Sequence, residues 1–142
     1  ADHGAEVIKI EPPRRAGDVA EGDPMRQWGR GLPLWFPVVG RNKKTITLNL
    51  RDPRGQEILR RLVQKSDFLL ENFRPGTLEK WGLGYDVLSA DNPGLIMIRV
   101  SGYGQTGPYA PRAGYGSIGE AMGGIRNLAG DPSTPPSRVG LS

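Results

Sequence analysis

Apolar and polar residues alternate along two short stretches of the chain, two later stretches are short apolar runs, and each of the four predicts a β-strand. The predicted strands span residues 6–10, 45–50, 67–71 and 95–100. Between and after them, apolar residues recur every three or four positions, which is the spacing of an amphipathic helix. The predicted helices span residues 53–65, 77–81, 85–90 and 117–128. Strands that alternate with helices indicate βαβ units, so the fold class is α/β with a mostly parallel sheet.

The first predicted helix has the clearest start signal. Asp52 is a residue type that caps helix N-termini, and Pro53 follows at the first helical position. Aliphatic side chains recur at helical spacing over residues 58–63. In the last predicted helix, Gly123 and Gly124 would allow another part of the backbone to approach closely.

The turn that follows the third predicted strand offers the strongest local indication of function. An apolar run at residues 68–70 leads into Glu-Asn-Phe-Arg-Pro-Gly and indicates a buried strand that opens into a loop and a short helix. Ligands of open α/β sheets bind outside the carboxyl ends of strands. Asn72 offers an amide, Phe73 a stacking face and Arg74 a fork of donors. Arg74 and Lys80 flank the turn, so it suits an anion such as a phosphate. From this loop alone, an ordinary turn with solvated charges remains equally open.

Composition indicates one loop-rich domain. Gly and Pro, with 21 and 13 residues out of 142, make nearly a quarter of the chain, but they punctuate apolar runs and form no low-complexity tract. Residues 14–40 are predicted to be loop-like, with aromatic anchors at Trp28, Trp35 and Phe36. The hydrophobic content of 37% is modest, so a core built from this chain alone would be thin.

Charge and the absent residue types narrow the function classes. The net charge is +4, but acidic residues lie among the basic ones and no basic tail occurs, so a phosphorylated small molecule is favoured over nucleic acid. The chain has no cysteine, which excludes disulfides and thiolate chemistry. No apolar run reaches the length of about 20 residues that crosses a bilayer, and the N-terminus is polar at once. We therefore expect a cytoplasmic protein without a membrane partner.

Several motifs occur together in one order along the chain. The opening segment over residues 4–13, the turn at 72–76 and the glycine-rich block at 101–109 with its continuation at 112–115 are the longest. Shorter ones lie at residues 41–44, 48–50 and 136–140. In this order and spacing they closely resemble the class III coenzyme A transferases. That family includes the formyl-CoA, carnitine-CoA and succinyl-CoA transferases and the related 2-methylacyl-CoA racemases.

The resemblance implies a Rossmann-like half-domain within the interlocked-dimer fold of these transferases. Residues 1–142 would then be a partial N-terminal CoA-binding domain, truncated at both ends, whose parent protein is a homodimer. The aromatic residues of the 28–36 loop would be buried in the complete dimer and exposed in this chain.

The resemblance also assigns coenzyme A contacts position by position. Leu48 and Arg51 match positions beside the adenine and its ribose phosphate, and Asn72 and Phe73 match the turn at the pantetheine and pyrophosphate. Lys80, with Trp81 beside it, matches a basic position near the phosphates, and Tyr115 an aromatic position near the thioester. Together with Arg74, the predicted coenzyme-binding residues are Leu48, Arg51, Asn72, Phe73, Arg74, Lys80 and Tyr115.

Two positions depart from the family pattern, and two of the predicted contacts have an alternative. Some relatives have a lysine at Ala113, and Pro12 stands at another basic contact that Arg14 could replace. For Arg51 and Lys80 taken singly, the alternative is a solvated surface charge.

The implied reaction transfers CoA between an acyl-CoA and a small carboxylic acid through an aspartyl anhydride and an aspartyl thioester. The nucleophilic aspartate is expected just after Ser142, so this chain alone would be inactive; Asp131 is expected to be a turn former. CoA is a substrate here, and neither a covalently bound cofactor nor a metal is expected.

Two alternatives to transfer remain open. Racemases carry Gly-His-Asp where this chain has Gly114-Tyr115-Gly116, which favours the transferase. A non-catalytic CoA-binding fragment is the other alternative. Glu120 is expected to be a polar residue near the site rather than a catalytic one, and the single histidine, His3, is expected to be exposed.

Overall fold

The computed structural model describes residues 1–13, 22–29 and 31–139. The strands are β1 (Ile8–Glu11), β2 (Lys44–Thr47), β3 (Phe68–Glu71) and β4 (Ile96–Arg99). The α-helices are α1 (Trp35–Gly40), α2 (Pro53–Val63), α3 (Thr77–Lys80), α4 (Tyr85–Asp91) and α5 (Gly116–Met122), and short 3₁₀ helices span Pro24–Gln27 and Ile125–Leu128. Arg14 and the last three residues, which entered the sequence analysis, lie outside the described residues.

The chain divides into two compact units, Ala1–Leu59 and Arg60–Ser142, and the boundary falls within α2. In the first unit β1 pairs with β2, and in the second β3 pairs with β4. Both pairs are parallel, which confirms the predicted α/β class. The expectation of one sheet built from all four strands is corrected, because the ladder hydrogen bonds of the described residues join the strands only two by two.

Helix α2 follows its sequence signals closely. The Asp52 carboxylate accepts a hydrogen bond from the Arg54 backbone N–H at 2.9 Å, so it satisfies one of the amides that a helix start leaves unpaired. Leu59 and Val63 are buried on one side of the helix. The helix ends at Val63, two residues before the predicted end at Lys65.

Two predicted boundaries are wrong for local physical reasons. The stretch 14–40 was expected to be loop-like, yet its described part contains a 3₁₀ helix and α1. In α1, Pro37 is tolerated because it stands in the first turn, where the amide has no helical partner. The helix predicted over residues 117–128 breaks after Met122, because Gly124 adopts a left-handed φ of 78° that ends an α-helix.

The core of the second unit is aliphatic. Leu78, Leu83 and Leu88 are fully buried, and Leu95 lies nearly as deep. The Asn92 amide donates hydrogen bonds to the Val63 carbonyl at the end of α2 and to the Ser66 carbonyl after it, at 2.9 and 2.8 Å. These contacts hold α4 against the crossover that connects α2 to β3.

One face of the β3–β4 sheet is apolar and exposed among the described residues. Phe68 is 60% exposed and Leu70 68% exposed, and their cross-strand partners Ile96 and Ile98 are also exposed. The expectation of a buried third strand is therefore corrected. Strands of parallel sheets are normally covered on both faces, whereas the described residues cover only one face of this pair.

The aromatic residues of the 28–36 loop behave mostly as expected. Trp28 and Trp35 are exposed, which agrees with the prediction. Phe36 is half-buried, because the Arg26 guanidinium lies 3.8 Å from the centre of its ring. Among the described residues, none of the helices combines the length and apolar character that crossing a bilayer requires.

A buried carboxylate fixes the segment that follows β1. Glu11 is 3% exposed, and it accepts hydrogen bonds from the Arg26 Nε and Nη2 atoms at 2.7 and 2.9 Å and from the Asp23 backbone N–H at 2.8 Å. Lys9 Nζ binds the Asp23 carboxylate at 2.6 Å. The hydrogen bonds from Arg26, with that amide and the Lys9 charge, outweigh burial and lower the pKa of Glu11 from 4.5 to about 2.

The Glu11 cluster predicts a specific acid dependence of stability. Because the pKa of Glu11 is lower in the folded state, its contribution is complete above pH 4.5 and is lost as the pH falls through about 2. Glu11→Gln should lower the free energy of unfolding by about 2 kcal/mol at neutral pH, after allowance for the partly exposed Arg26. Urea unfolding of both proteins across the acid range should show this difference shrinking between those two pH values.

The matched control is Glu6→Gln, which removes a carboxylate from an exposed ion pair with Lys44. That variant should change stability by less than about 1 kcal/mol. A Glu11→Gln protein as stable as the wild type at neutral pH would show that the cluster does not stabilise the fold.

Candidate functional site

The loops that leave β3 and β4 enclose a cavity of about 150 Å³ at the carboxyl ends of these strands. Its lining comes from three segments of the second unit, residues 72–75, 101–102 and 112–115. The first two segments directly follow β3 and β4. This is where α/β sheets place their ligands, because the loops of neighbouring parallel strands meet at that edge.

An ion-pair network at the ends of the two strands positions the first segment. Glu71 and Arg99 face each other in the register of the sheet, and Arg99 Nε donates to the buried Glu71 carboxylate at 2.7 Å. Arg99 Nη1 also binds Glu79 of α3 at 2.7 Å. The hydrogen bond from Arg99 lowers the pKa of Glu79, so this carboxylate stays ionised. One guanidinium thus connects β3, β4 and α3.

The same network fixes the backbone of the loop. Glu71 Oε2 accepts a hydrogen bond from the Phe73 N–H at 2.7 Å. The Phe73 ring packs edge-on against Trp81, with ring centres 5.4 Å apart. Leu78 of α3 is fully buried beneath. These contacts hold Phe73, which is still 37% exposed, between the exposed residues Asn72 and Arg74.

Two glycines bring the other two segments together. A Cβ added to Gly114 would lie 2.6 Å from the Gly102 Cα, and a Cβ at Gly102 would collide with the Gly114 backbone. No larger residue fits at either position without displacing a loop. The pair therefore sets the distance between Ser101 and Tyr115, which line the cavity on either side of it.

The positive charge of the cavity has no acidic counterpart in its lining. Arg74 and Arg112 both line it, and none of the other lining residues is acidic. The Arg112 guanidinium lies 4.3 Å from the centre of the Tyr109 ring. These two arginines support the prediction from the sequence that an anion binds here. Helix α3 adds little to it, since it has only four residues.

The structure places the predicted coenzyme-binding residues in three locations. Asn72, Phe73, Arg74 and Tyr115 line the one cavity. Lys80 is exposed on α3 and does not line it. Leu48 and Arg51 belong to the first unit, where Leu48 is half-buried beside β1 and Arg51 is exposed.

Sequence reasoning missed four residues that contribute to this site. Arg99 was treated only as part of an apolar strand. Charged residues of opposite sign at the ends of neighbouring strands, Glu71 and Arg99, were a signal for an ion pair between them. Ser101 and Gly102 were part of a motif but were given no role, and they line the cavity. Arg112 was part of the motif at residues 112–115 but was not among the predicted coenzyme-binding residues, and it lines the cavity as well.

The remaining candidates have structural roles. The Glu120 carboxylate is buried and accepts hydrogen bonds from Arg126 Nε and the Val139 N–H, both at 3.3 Å. Asp131 caps a turn by accepting from the Ser133 N–H at 2.8 Å, as predicted, and His3 is exposed. A second depression of about 400 Å³ lies in the first unit, and it contains none of the predicted residues.

Comparisons with known proteins agree on one family. The model of CoA-transferase family III matches residues 1–142. The chain is 63% identical to the succinyl-CoA–D-citramalate CoA-transferase of Chloroflexus aurantiacus, over 100% of this chain and 35% of that protein. It is 41% identical to the succinyl-CoA:glutarate CoA-transferase of Mus musculus, over 99% of this chain and 32% of that protein.

A solved structure supports the same relationship. The crystal structure of a CaiB/BaiF family protein from Brucella suis superimposes with a TM-score of 0.86 at 42% identity, and covers 97% of this chain and 37% of that one. The chain spans about a third of the length of the curated relatives it matches.

The Arg99 network predicts a large difference between two neighbouring substitutions. Arg99→Met removes both ion pairs and leaves the buried Glu71 charge with only the Phe73 amide, so the free energy of unfolding should fall by about 3 kcal/mol. Glu79→Gln keeps the Glu71–Arg99 pair and removes only a partly exposed partner, so the loss should stay below about 1 kcal/mol. Urea unfolding measures both, and equal losses would contradict the central role of Glu71.

Proposed function

Because the chain belongs to CoA-transferase family III, we propose that its complete protein transfers CoA from an acyl-CoA to a small carboxylic acid. Succinyl-CoA is the proposed donor, since several similar proteins carry succinyl-CoA in their names. The substrates of this chain are inferred from theirs. We propose a homodimer as the assembly.

One observation supports this function most directly. The cavity at the ends of β3 and β4 brings residues 72–74 together with Tyr115, although some forty positions separate them in the chain. The family resemblance assigns residues 72–74 to coenzyme A and Tyr115 to the thioester. A thioester substrate needs both contacts at one place, because its reactive carbon is attached to the end of the CoA arm.

Each residue has a physical reason for its proposed role. Asn72 can donate and accept hydrogen bonds with the amides of the pantetheine arm. Arg74 provides paired donors for phosphate oxygens. Lys80 lies one turn beyond on the exposed side of α3, where a flexible ammonium can reach the same phosphates. Leu48 and Arg51 are proposed to contact the adenine end.

The proposed chemistry is covalent catalysis by an aspartate located just after Ser142. Its carboxylate attacks the thioester carbon and expels CoA thiolate, which leaves a mixed anhydride. The thiolate then attacks the aspartyl carbonyl and releases the donor acid, which leaves an aspartyl thioester. The acceptor carboxylate repeats the sequence in reverse, so a new thioester forms and the aspartate is regenerated. Backbone amides stabilise the oxyanions that form at each attack.

The family also contains racemases, and Tyr115 argues against that activity. Removal of an α-proton beside a thioester needs a base with a pKa near the working pH. Tyr115 and Gly116 stand where the racemases carry the histidine and aspartate of their Gly-His-Asp motif. A phenol and a hydrogen atom cannot replace an imidazole and a carboxylate, which leaves CoA transfer as the better proposal.

The function is tested on the full-length protein with succinyl-CoA and labelled small acids. We expect label to enter the thioester pool, and hydroxylamine to trap an aspartyl hydroxamate at the residue predicted after Ser142. The matched control replaces that aspartate by asparagine and should abolish both signals. Exchange of an α-proton without CoA transfer would overturn the proposal in favour of a racemase.

Lys80→Ala tests the proposed phosphate contact. Loss of a charge-assisted hydrogen bond should weaken CoA binding by about 1–2 kcal/mol and make it less sensitive to salt. Calorimetric titration with CoA at two salt concentrations measures both effects. Lys65→Ala removes another exposed lysine from the same unit and serves as the control. Equal affinities for wild type and Lys80→Ala would mean that Lys80 is only a surface charge.

A further inference from the structure

Arg112 lines the cavity, but none of the coenzyme contacts proposed above involves it. Arg74 is assigned to coenzyme A. Arg112 has no acidic partner among the described residues, and its guanidinium stacks on the Tyr109 ring. An arginine at a ligand cavity whose other lining residues include no carboxylate is available to bind an anionic group of the ligand.

The guanidinium is held in position by aromatic rings. It stacks 4.3 Å from the centre of Tyr109, and Tyr109 packs edge-on against Tyr103 with ring centres 5.6 Å apart. The Arg112 backbone N–H also donates to the Tyr109 carbonyl at 2.9 Å. Stacking uses one face of the guanidinium and leaves the N–H groups at its edge for hydrogen bonds, so less conformational entropy is lost when an anion binds.

The position of Arg112 within the cavity identifies the part of the substrate it faces. Arg112 and Tyr115 lie on the same lining segment, and the Gly102–Gly114 contact fixes that segment beside the end of β4. On the proposed function, Tyr115 adjoins the thioester and residues 72–74 the CoA arm. Arg112 is therefore nearer to the acyl end than the coenzyme contacts of α3 are.

We propose that Arg112 binds the free carboxylate of a dicarboxylic substrate whose other carboxyl group forms the thioester. This inference rests on the proposed CoA transfer and adds the residue that recognises the acid. A carboxylate accepts two parallel hydrogen bonds from the edge of a guanidinium, a pairing that a methyl group at the same position cannot make. Arg112 thus selects dicarboxylic over monocarboxylic acids of equal length.

Two identity exchanges test the proposal with matched substrates. One measures the entry of labelled succinate into succinyl-CoA, and the other the entry of labelled butyrate into butyryl-CoA, which has a methyl group in place of the free carboxylate. In the full-length protein, Arg112→Met should lower kcat/KM for the succinate exchange by about 10- to 100-fold, the value of charge-assisted hydrogen bonds. The butyrate exchange should change by less than about threefold.

Two further variants separate binding from folding. Arg112→Lys keeps the charge without the fork and should fall between the wild type and Arg112→Met in the succinate exchange. Lys65→Met removes a distant exposed cation and should leave both exchanges unchanged. Equal thermal melting of the variants would show that the fold is intact.

The same guanidinium could instead bind a CoA phosphate, and the two exchanges distinguish this. A phosphate contact predicts that Arg112→Met slows both exchanges equally and weakens inhibition by free CoA, and that result would overturn the proposal. An unchanged succinate exchange would overturn it as well.

Failure of the proposed function gives a different result. If the wild type catalyses neither exchange, calorimetric titration with succinate and with butyrate still tests Arg112. A preference for succinate that Arg112→Met removes supports the proposal, and the absence of such a preference in the wild type overturns it.

Discussion

The geometry of the site depends on one guanidinium. Arg99 ends β4, and its two ion pairs join it to Glu71 at the end of β3 and to Glu79 on α3. The Glu71 carboxylate is buried, so it needs compensating donors to stay charged, and it finds them in Arg99 and in the Phe73 amide. The loop that carries Asn72 therefore takes its conformation from an interaction beneath the cavity.

The other two lining segments, residues 101–102 and 112–115, are held together by close packing of their backbones. Gly102 and Gly114 approach so closely that neither tolerates a side chain, and this contact aligns the segment that carries Arg112 with the end of β4. Ion pairs thus position residues 72–74, and close backbone packing positions residues 112–115. Glu71 and Glu79, the acids of the ion pairs, do not line the cavity, so Arg74 and Arg112 have no acid beside them in the lining and remain available to an anion.

Much of this arrangement was predictable because local patterns determine it. Alternation located the first two strands and short apolar runs the other two, and Asp52 and Pro53 located the start of α2. Motifs selected residues 72–74 and Tyr115, which the structure brings into one cavity.

What could not be predicted depends on contacts distant in sequence. The pairing of strands two by two, the exposure of Phe68 and Leu70, and the role of Arg99 arise from which elements meet, and no local pattern records that. Gly124 was misread because a glycine at helical spacing permits both close packing and a helix end, and only its φ of 78° decides between them.

A transferase must hold the same CoA arm in both halves of its cycle while two different acids exchange at its end. Contacts to the arm, such as those we propose for Asn72 and Lys80, contribute equally with either acid and so cannot discriminate between them. Selectivity has to come from the few groups that touch the acyl part, where an unsatisfied polar group in the site rejects a substrate that lacks the matching one. On our proposal Arg112, held on the Tyr109 ring, supplies this selectivity, because its preference for a carboxylate over a methyl group acts in both half-reactions.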